Sequence, residues 1–237
     1  MVEELDFIAR FAQTKGFDIK PRTIFVEGTT DVDLFELAAK FEKEKTGIDL
    51  LGDKLAIVAA GIGNDGGARG VCRELVSFKN MASKCLLPNG HQKYRFIGLF
   101  DNDKAGRQAI SDIRKTDISI LEYRDVFRLC PIMPISQNQD MTFLRNKFEE
   151  ENLKYKGLDW ELEDLVPDSF STLLENEDPY LLRCSHLVHD KVHREWTPDG
   201  KAKLIRLVKE NAMHPDLIAF IAILHAFRQF FNIRSSN

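Results

Sequence analysis

The segment RFIGLFDND, residues 95–103, decides the fold of this chain. Its opening run RFIGLF is mostly apolar, which is typical of a strand buried on both faces within a parallel sheet. Asp101 and Asp103 follow directly, and because side chains two apart on an extended chain share a face, both carboxylates project to the same side. Two such anions repel each other, and a divalent cation such as Mg²⁺ or Mn²⁺ would offset the repulsion. The alternative is a surface turn, because Asp and Asn are also common turn residues.

A second acidic group follows an earlier strand. Residues 23–26 form a short β-branched and aromatic run, and Glu27 comes directly after it. Asp31 opens a helix that the apolar spacing predicts over residues 31–45. In a doubly wound sheet the carboxyl ends of the strands meet at one edge, where ligands bind. We therefore expect Glu27 and Asp31 to lie near Asp101, although Asp31 could instead cap its helix.

Strand and helix patterns alternate on both sides of these segments. Apolar runs predict strands at 55–60 and 95–100 and within 126–132, and amphipathic spacing predicts helices at 69–81 and 105–115. This alternation predicts an α/β fold with a doubly wound, mostly parallel sheet. The glycine-rich stretch GIGNDGG, residues 61–67, lacks the GK[ST] of a phosphate-binding loop, so we interpret it as a turn at the sheet edge whose main-chain amides can contact an anion.

The alternation ends near residue 135, which divides the chain into three predicted regions. Residues 1–22 hold a short amphipathic helix, residues 23–135 the α/β core, and residues 136–237 a helical C-terminal extension that completes the active site. In that extension, His186, His189 and His193 are expected on a polar helix face rather than in a zinc site. The run at 217–231 is apolar nearly all round, so it packs either in the core or against a partner.

Composition narrows the class of protein. Of 237 residues, 43% are hydrophobic and 30% charged, an ordinary globular profile. No apolar run reaches the ~18 residues of a membrane span and the amino terminus is acidic, so a cytoplasmic protein without membrane contact is expected. Four cysteines without a CxxC pair argue against a disulfide framework. The net charge of −4 argues against a purely electrostatic nucleic-acid binder, although bound cations could supply local positive charge.

FVEGTTD (residues 25–31) and FDNDKAG (residues 100–106) together resemble the Toprim domain of type IA topoisomerases, bacterial primases and OLD-like (overcoming lysogenization defect) nucleases. That family has a glutamate after its first strand and a DxD after its third, which match Glu27, Asp101 and Asp103. The resemblance implies a Toprim-type sheet over the core. The chain is short for a topoisomerase and has no primase zinc module, so the hydrolytic, OLD-like branch remains.

In that branch an acidic stretch after the core supplies a second metal site. WELEDL, residues 160–165, resembles it, with Glu163 the first choice of ligand and Glu161 the second. A solvated acidic helix start is the alternative. DGKAKL, residues 199–204, resembles the opening of a late helix whose lysine stabilises transition-state charge, which we assign to Lys201, with Lys203 as the alternative.

The resemblance implies a two-metal nuclease acting on DNA or on structured RNA such as tRNA. One Mg²⁺ or Mn²⁺ ion would lie at Glu27, Asp101 and Asp31, and a second, ~4 Å away, at Asp103 and Glu163. Nearby cations, namely Arg69, Lys104 and Arg107, would contact phosphates, and the glycine-rich turn at residues 61–67 would contact the nucleic-acid backbone. Small OLD-like chains also resemble antiviral defence effectors controlled by a separate ATPase, and a homo-oligomer is a further possibility. A non-catalytic Toprim-fold interaction module is the alternative.

Overall fold

The computed structural model describes residues 6–61, 66–133 and 140–233. These residues form two compact units that alternate along the sequence. The first unit comprises Met1–Val32, Leu51–Phe100 and Gln108–Phe127. The second unit comprises Asp33–Leu50, Asp101–Arg107 and Arg128–Asn237. The predicted boundary near residue 135 lies outside the described residues.

A four-stranded parallel sheet organises the fold and confirms the predicted α/β class. Its spatial order is β2-β1-β3-β4, and β1 pairs in parallel with both β2 and β3, so that Ile24 lies between Ile57 and Ile97. The strands are β1 (Arg22–Val26), β2 (Leu55–Ala59), β3 (Arg95–Phe100) and β4 (Val126–Arg128). The helices of this part of the chain are α1 (Phe7–Thr14), α2 (Thr29–Thr46), α3 (Gly67–Ala82) and α4 (Lys104–Thr116). Every predicted strand and helix in this region is present, with ends shifted by two residues or less except at β4, which is the shorter strand within 126–132.

Aromatic side chains fill the core of the first unit. Phe25 of β1, Phe78 of α3 and Phe96 of β3 are buried, and the ring centroids of Phe78 and Phe96 are 5.0 Å apart. Helix α1 adds Phe11, whose ring lies 5.3 Å from that of Phe78. The helix begins at Asp6, whose carboxylate accepts hydrogen bonds from the main-chain N–H groups of the first turn. Each buried side chain of this size stabilises the fold by ~1.5–3 kcal/mol.

The second unit is mostly helical, as expected of the C-terminal extension, but it also contains a β-hairpin that the sequence did not predict. Its helices are α5 (Met141–Glu151), α6 (Asp168–Glu177), α7 (Pro198–Asn211) and α8 (Ile218–Phe230). The hairpin joins β5 (Leu182–Val188) to β6 (Lys191–Trp196). His186 and His193 are cross-strand partners, and His189 has a positive φ of 55° at the turn. The three histidines therefore do not share a helix face. The sequence does not predict β5 because exposed polar residues lie on both of its faces, so the strand lacks the alternation of apolar and polar residues that identifies a strand.

Helix α8 packs into the core of its own unit. Phe220 is buried and its ring lies 5.6 Å from that of Phe35 in α2. Arg228 donates to the main-chain carbonyls of Asp49 at 3.2 Å and Leu50 at 2.7 Å. Phe227 is only 3% exposed. The core alternative therefore accounts for the apolar run, and no partner is needed to cover its inner face. None of the described helices is both long enough and apolar enough to cross a membrane.

Candidate functional site

The Asp-Asn-Asp segment after β3 is held by main-chain hydrogen bonds to the WELEDL segment of the second unit. Asn102 N donates to Trp160 O at 2.8 Å. The carboxylate of Asp101 accepts from Leu162 N, with 3.1 Å between Oδ1 and N, across 61 residues of sequence. These two bonds bring together the two acidic segments that the sequence predicted to be partners.

Gly106 allows the Asp-Asn-Asp segment to turn sharply into α4. A Cβ atom built on Gly106 would lie 2.0 Å from the main-chain oxygen of Asp101, a distance that no side chain tolerates. Asp103 Oδ1 accepts a hydrogen bond from Gly106 N at 2.7 Å and so caps α4. The cap gives Asp103 a structural role that needs no metal ion.

Glu161 and Glu163 converge on Lys201. The segment Leu162–Leu165 is a 3-10 helix with Glu161 as its N-cap. Lys201 Nζ lies 2.8 Å from Glu161 Oε2 and 3.3 Å from Glu163 Oε1. The Glu163 side chain is only 8% exposed, so the segment is not a solvated acidic helix start. Two carboxylates and one ammonium thus form a half-buried ionic cluster.

The charge environment of Lys201 is strongly acidic. Burial acts to lower the pKa of Lys201, but the nearby carboxylates of Glu163, Glu161 and Asp101 outweigh it and hold the pKa well above its usual range. Lys203, the sequence alternative, instead pairs with Asp178 at 3.3 Å and is 49% exposed. The structure therefore places Lys201, and not Lys203, among the predicted acids.

Asp164 and His193 support the acidic segment, and sequence reasoning missed both. His193 Nδ1 lies 2.8 Å from Asp164 Oδ2, with the two side chains 5% and 3% exposed. Asp164 also accepts from Glu161 N at 2.8 Å and from Arg194 N at 3.2 Å, so it fixes the 3-10 helix against β6. Burial acts to lower the pKa of His193, but the hydrogen bond to Asp164 raises it above the ordinary value. The three-residue spacing from Glu161 to Asp164 indicates a capping box and could have identified Asp164; no sequence signal identified His193.

Glu27 and Asp31 belong to the first unit. Glu27 directly follows β1, and β1 is the parallel neighbour of β3, which leads into Asp101. Gly28 N donates to Asp31 Oδ2 at 2.9 Å, an interaction within the first turn of α2. Burial raises the pKa of the Cys72 thiol to about 11, and the negative charge of Glu27 adds to the shift. Glu27 therefore lies where the sequence predicted it, at the carboxyl end of a central strand.

The glycine-rich stretch packs against the end of β1. Gly67 N donates to Glu27 O at 2.9 Å, and a Cβ atom on Gly66 would lie only 2.9 Å from the same oxygen. This close approach explains the glycines at 66 and 67. Gly63 and the rest of residues 62–65 lie outside the described residues, so the expected contact of this turn with nucleic acid stays a prediction.

Of the predicted phosphate-binding cations, Arg107 is already engaged. Its Nη1 lies 2.7 Å from Asp159 Oδ1 and also donates to Asn102 O at 2.5 Å. This ion pair would have to open before Arg107 bound a phosphate. Arg69 and Lys104 are exposed, as phosphate-binding side chains need to be.

The donor set of the second unit fits a hard divalent cation in chemistry, because carboxylate oxygens are the ligands that Mg²⁺ and Mn²⁺ prefer. No group of three or more His, Cys, Asp or Glu side chains within residues 6–61, 66–133 and 140–233 is already arranged around a common metal position. Lys201 provides the positive charge between Glu161 and Glu163 instead. In the two segments joined by the Asn102–Trp160 hydrogen bond, Asn102 Oδ1 and Trp160 Nε1 are buried without hydrogen-bond partners. Such orphaned polar atoms are uncommon in folded proteins and suit a site that binds a polar ligand or ion.

The arrangement thus concentrates negative charge around the Lys201 ammonium. Hydrogen bonds from Leu162 N to the Asp101 carboxylate and from Asn102 N to Trp160 O hold the acidic segments together. Comparison of the chain with models of protein families, with curated proteins and with solved structures found no match in any of the three.

Proposed function

We propose that this chain is a metal-dependent nuclease with a Toprim-type core that hydrolyses phosphodiester bonds of nucleic acid. The observation that carries the proposal is the convergence of Glu161 and Glu163 on Lys201, beside Asp101. These groups come from three separate sequence segments, and a purely structural ion pair does not require so many acids at one position.

Asp101 and Glu163 are the residues that would hold a divalent cation in the second unit. Both place carboxylates beside the one lysine, and Glu163 is nearly buried, which strengthens its attraction for any cation. Glu27, as the residue after β1, is the further ligand that the resemblance to Toprim domains implies. A bound cation would lower the pKa of a water molecule and neutralise the charge of the phosphate.

Other residues of the chain would bind the substrate phosphate or position the candidate metal ligands. The surrounding carboxylates raise the pKa of Lys201, so its ammonium is charged and would be available to bind a phosphate oxygen if Glu161 and Glu163 held a cation instead. Asp164, fixed by His193, holds the main chain of Glu161 in place. Asp103 and Asp31 cap or brace the adjoining helices and orient the segments that carry Asp101 and Glu27.

The substrate in this proposal is DNA or structured RNA such as tRNA, bound through its phosphates with little sequence preference. Exposed Arg69 and Lys104 are candidate phosphate contacts. By resemblance to small OLD-like chains, control by a separate ATPase within an antiviral defence system belongs to the same proposal.

One observation favours a second candidate, a non-catalytic Toprim-fold interaction module. Lys201 already neutralises Glu161 and Glu163, so the cluster is stable as an ionic network without metal. In that case the fold would serve binding alone, and divalent ions would change neither stability nor activity.

Incubation of the purified protein with supercoiled DNA, single-stranded DNA and bulk tRNA, with and without Mg²⁺ or Mn²⁺, tests the proposal. We expect cleavage of one substrate class that requires the ion and is lost in Glu27→Ala and Asp101→Ala. Asp178→Ala, an exposed acid paired with Lys203, is the matched control and should cleave normally. Cleavage that persists in excess EDTA, or full activity of Asp101→Ala, would rule out the mechanism.

A further inference from the structure

A separate cavity lies in the first unit, at the amino-terminal ends of its strands. Its volume is about 370 Å³, at the small end of the range of small-molecule sites. Its wall is built from the last turn of α3, the first residues of β3 and the loop that precedes β4. Parallel strands carry Glu27 and Asp101 at their opposite, carboxyl ends, so the cavity is not part of the acidic site.

The cavity is lined by more positive than negative charge. Lys79, Arg95 and Arg124 line it, and Asp125 is the one carboxylate among the described lining residues. Arg22, the partner of Arg95 in the β1–β3 register, adds a further cation next to the wall. Burial lowers the pKa of Arg95, the negative charge of Asp125 opposes this shift, and the positive charges of Arg22 and Arg124 add to it. Asp117 does not line the cavity, but its carboxylate interacts with Lys79 and Arg124, so four cations and two carboxylates are grouped here.

These cations are held in place before any ligand arrives. Lys79 Nζ donates to Ser119 Oγ at 2.8 Å and lies 3.9 Å from Asp125 Oδ2. Arg124 donates through Nε and Nη2 to Asp125 Oδ2, at 3.0 and 2.6 Å. Arg95 Nη2 donates to Arg124 O at 3.4 Å. The side chains of Lys79 and Asp125 are only 22% and 10% exposed, so water screens this charge poorly.

We propose that this cavity binds a small phosphate monoester of about the size of a nucleoside monophosphate. Three lining cations and one carboxylate leave a net charge of two positive units, which a phosphate monoester dianion would neutralise. One guanidinium group can bind two oxygens of the same phosphate, and the Lys79 ammonium adds a further positive charge. Ser83, Ser119 and Gln92 supply further hydrogen-bonding groups on the wall. Occupancy would tie α3 to the loop before β4, independently of nuclease chemistry.

Isothermal titration calorimetry with three probes tests this assignment. Inorganic phosphate and AMP should bind to the wild-type protein, and adenosine, which lacks the phosphate, should not. Lys79→Met and Arg124→Gln should each weaken AMP binding by about tenfold or more, because each removes a charged hydrogen bond worth ~1.5–3 kcal/mol. Lys115→Met is the matched control, since Lys115 is 71% exposed, pairs with Asp112 and does not line the cavity.

Hydrogen exchange of the unmutated protein keeps the test independent of variant folding. AMP should slow exchange in residues 79–83 and 119–125 and leave residues 160–165 unchanged. The proposal is overturned if AMP does not bind, if adenosine binds as well as AMP, or if protection appears only at residues 160–165. An equal loss of affinity in Lys115→Met would also overturn it. None of these outcomes depends on whether the protein cleaves nucleic acid.

Discussion

Replacement of Lys201 by Met tests whether the acidic cluster accepts divalent cations. At the observed distances of 2.8 and 3.3 Å, the ammonium attracts the two glutamates by roughly 5–6 kcal/mol each at an effective dielectric of about 20. The cost of desolvating the ions cancels most of this attraction, and Lys201 is 34% exposed, so solvent screens it further. We expect the variant to lose ~2–3 kcal/mol of unfolding free energy in EDTA, which lowers Tm by ~4–12 °C.

Divalent cations should reverse this loss. A metal ion that replaces the missing ammonium would stabilise the variant by ~2.7 kcal/mol at a concentration of about 100 times its Kd. Differential scanning fluorimetry with Mg²⁺, Mn²⁺ and EDTA measures the effect. Lys203→Met is the control, because Lys203 lies on the same helix as Lys201 and makes an exposed ion pair with Asp178. If metal ions stabilise Lys201→Met no more than Lys203→Met, the carboxylates do not form a cation site and our reasoning about them fails.

Three further predictions concern single side chains. In a cleavage assay, Glu163→Ala should reduce metal-dependent activity more than Glu161→Ala, because Glu163 is the more buried acid and caps no helix. The reverse ranking would mean that Glu161 is the principal ligand. Gly106→Ala should cost ~1–3 kcal/mol in chemical denaturation, because its Cβ would meet Asp101 O at 2.0 Å, whereas Ala105→Ser at an exposed neighbouring position should be neutral. Hydrogen bonding from His214 lowers the pKa of Glu42, so the folded state binds fewer protons there than the unfolded state; this stability is present above pH 4.5 and is lost as the pH falls through the folded pKa. Glu42→Gln should therefore flatten the fall in stability measured below about pH 4.5, and an unchanged acid-denaturation slope would contradict this assignment.

The sequence predicted the parallel sheet well because its signals are local. The apolar strands are short runs, of which β1 and β3 are directly followed by Glu27 and Asp101, and helices α3 and α4 have clear amphipathic spacing. The β5–β6 hairpin escaped prediction because β5 exposes polar residues on both faces, so its pairing rather than its side-chain pattern specifies it.

The candidate site was predictable as a set of residues but not as a geometry. The acids and Lys201 were all named from sequence, yet Asp103 proved to be a helix cap, and Lys201 proved to lie directly on both glutamates. The buried Asp164–His193 pair depends on two segments meeting in space, so only the structure reveals it. The sequence and its resemblance to Toprim domains therefore named candidate residues, and tertiary contacts decide which of them meet; their chemical roles stay a prediction.

The wide sequence separation of the site has a consequence for protein synthesis. Three contacts of the cluster join residues that are synthesised at different times: Asp101 with Leu162, Asp164 with His193, and Glu161 with Lys201. The cluster can therefore assemble only after most of the chain has left the ribosome. At translation rates of about 5–20 residues per second, roughly 5–20 seconds separate the emergence of Asp101 from that of Lys201. Throughout that interval the nascent chain displays isolated carboxylates with no assembled centre. Under the proposed function, the nuclease would therefore stay inert while the chain is still attached to the ribosome.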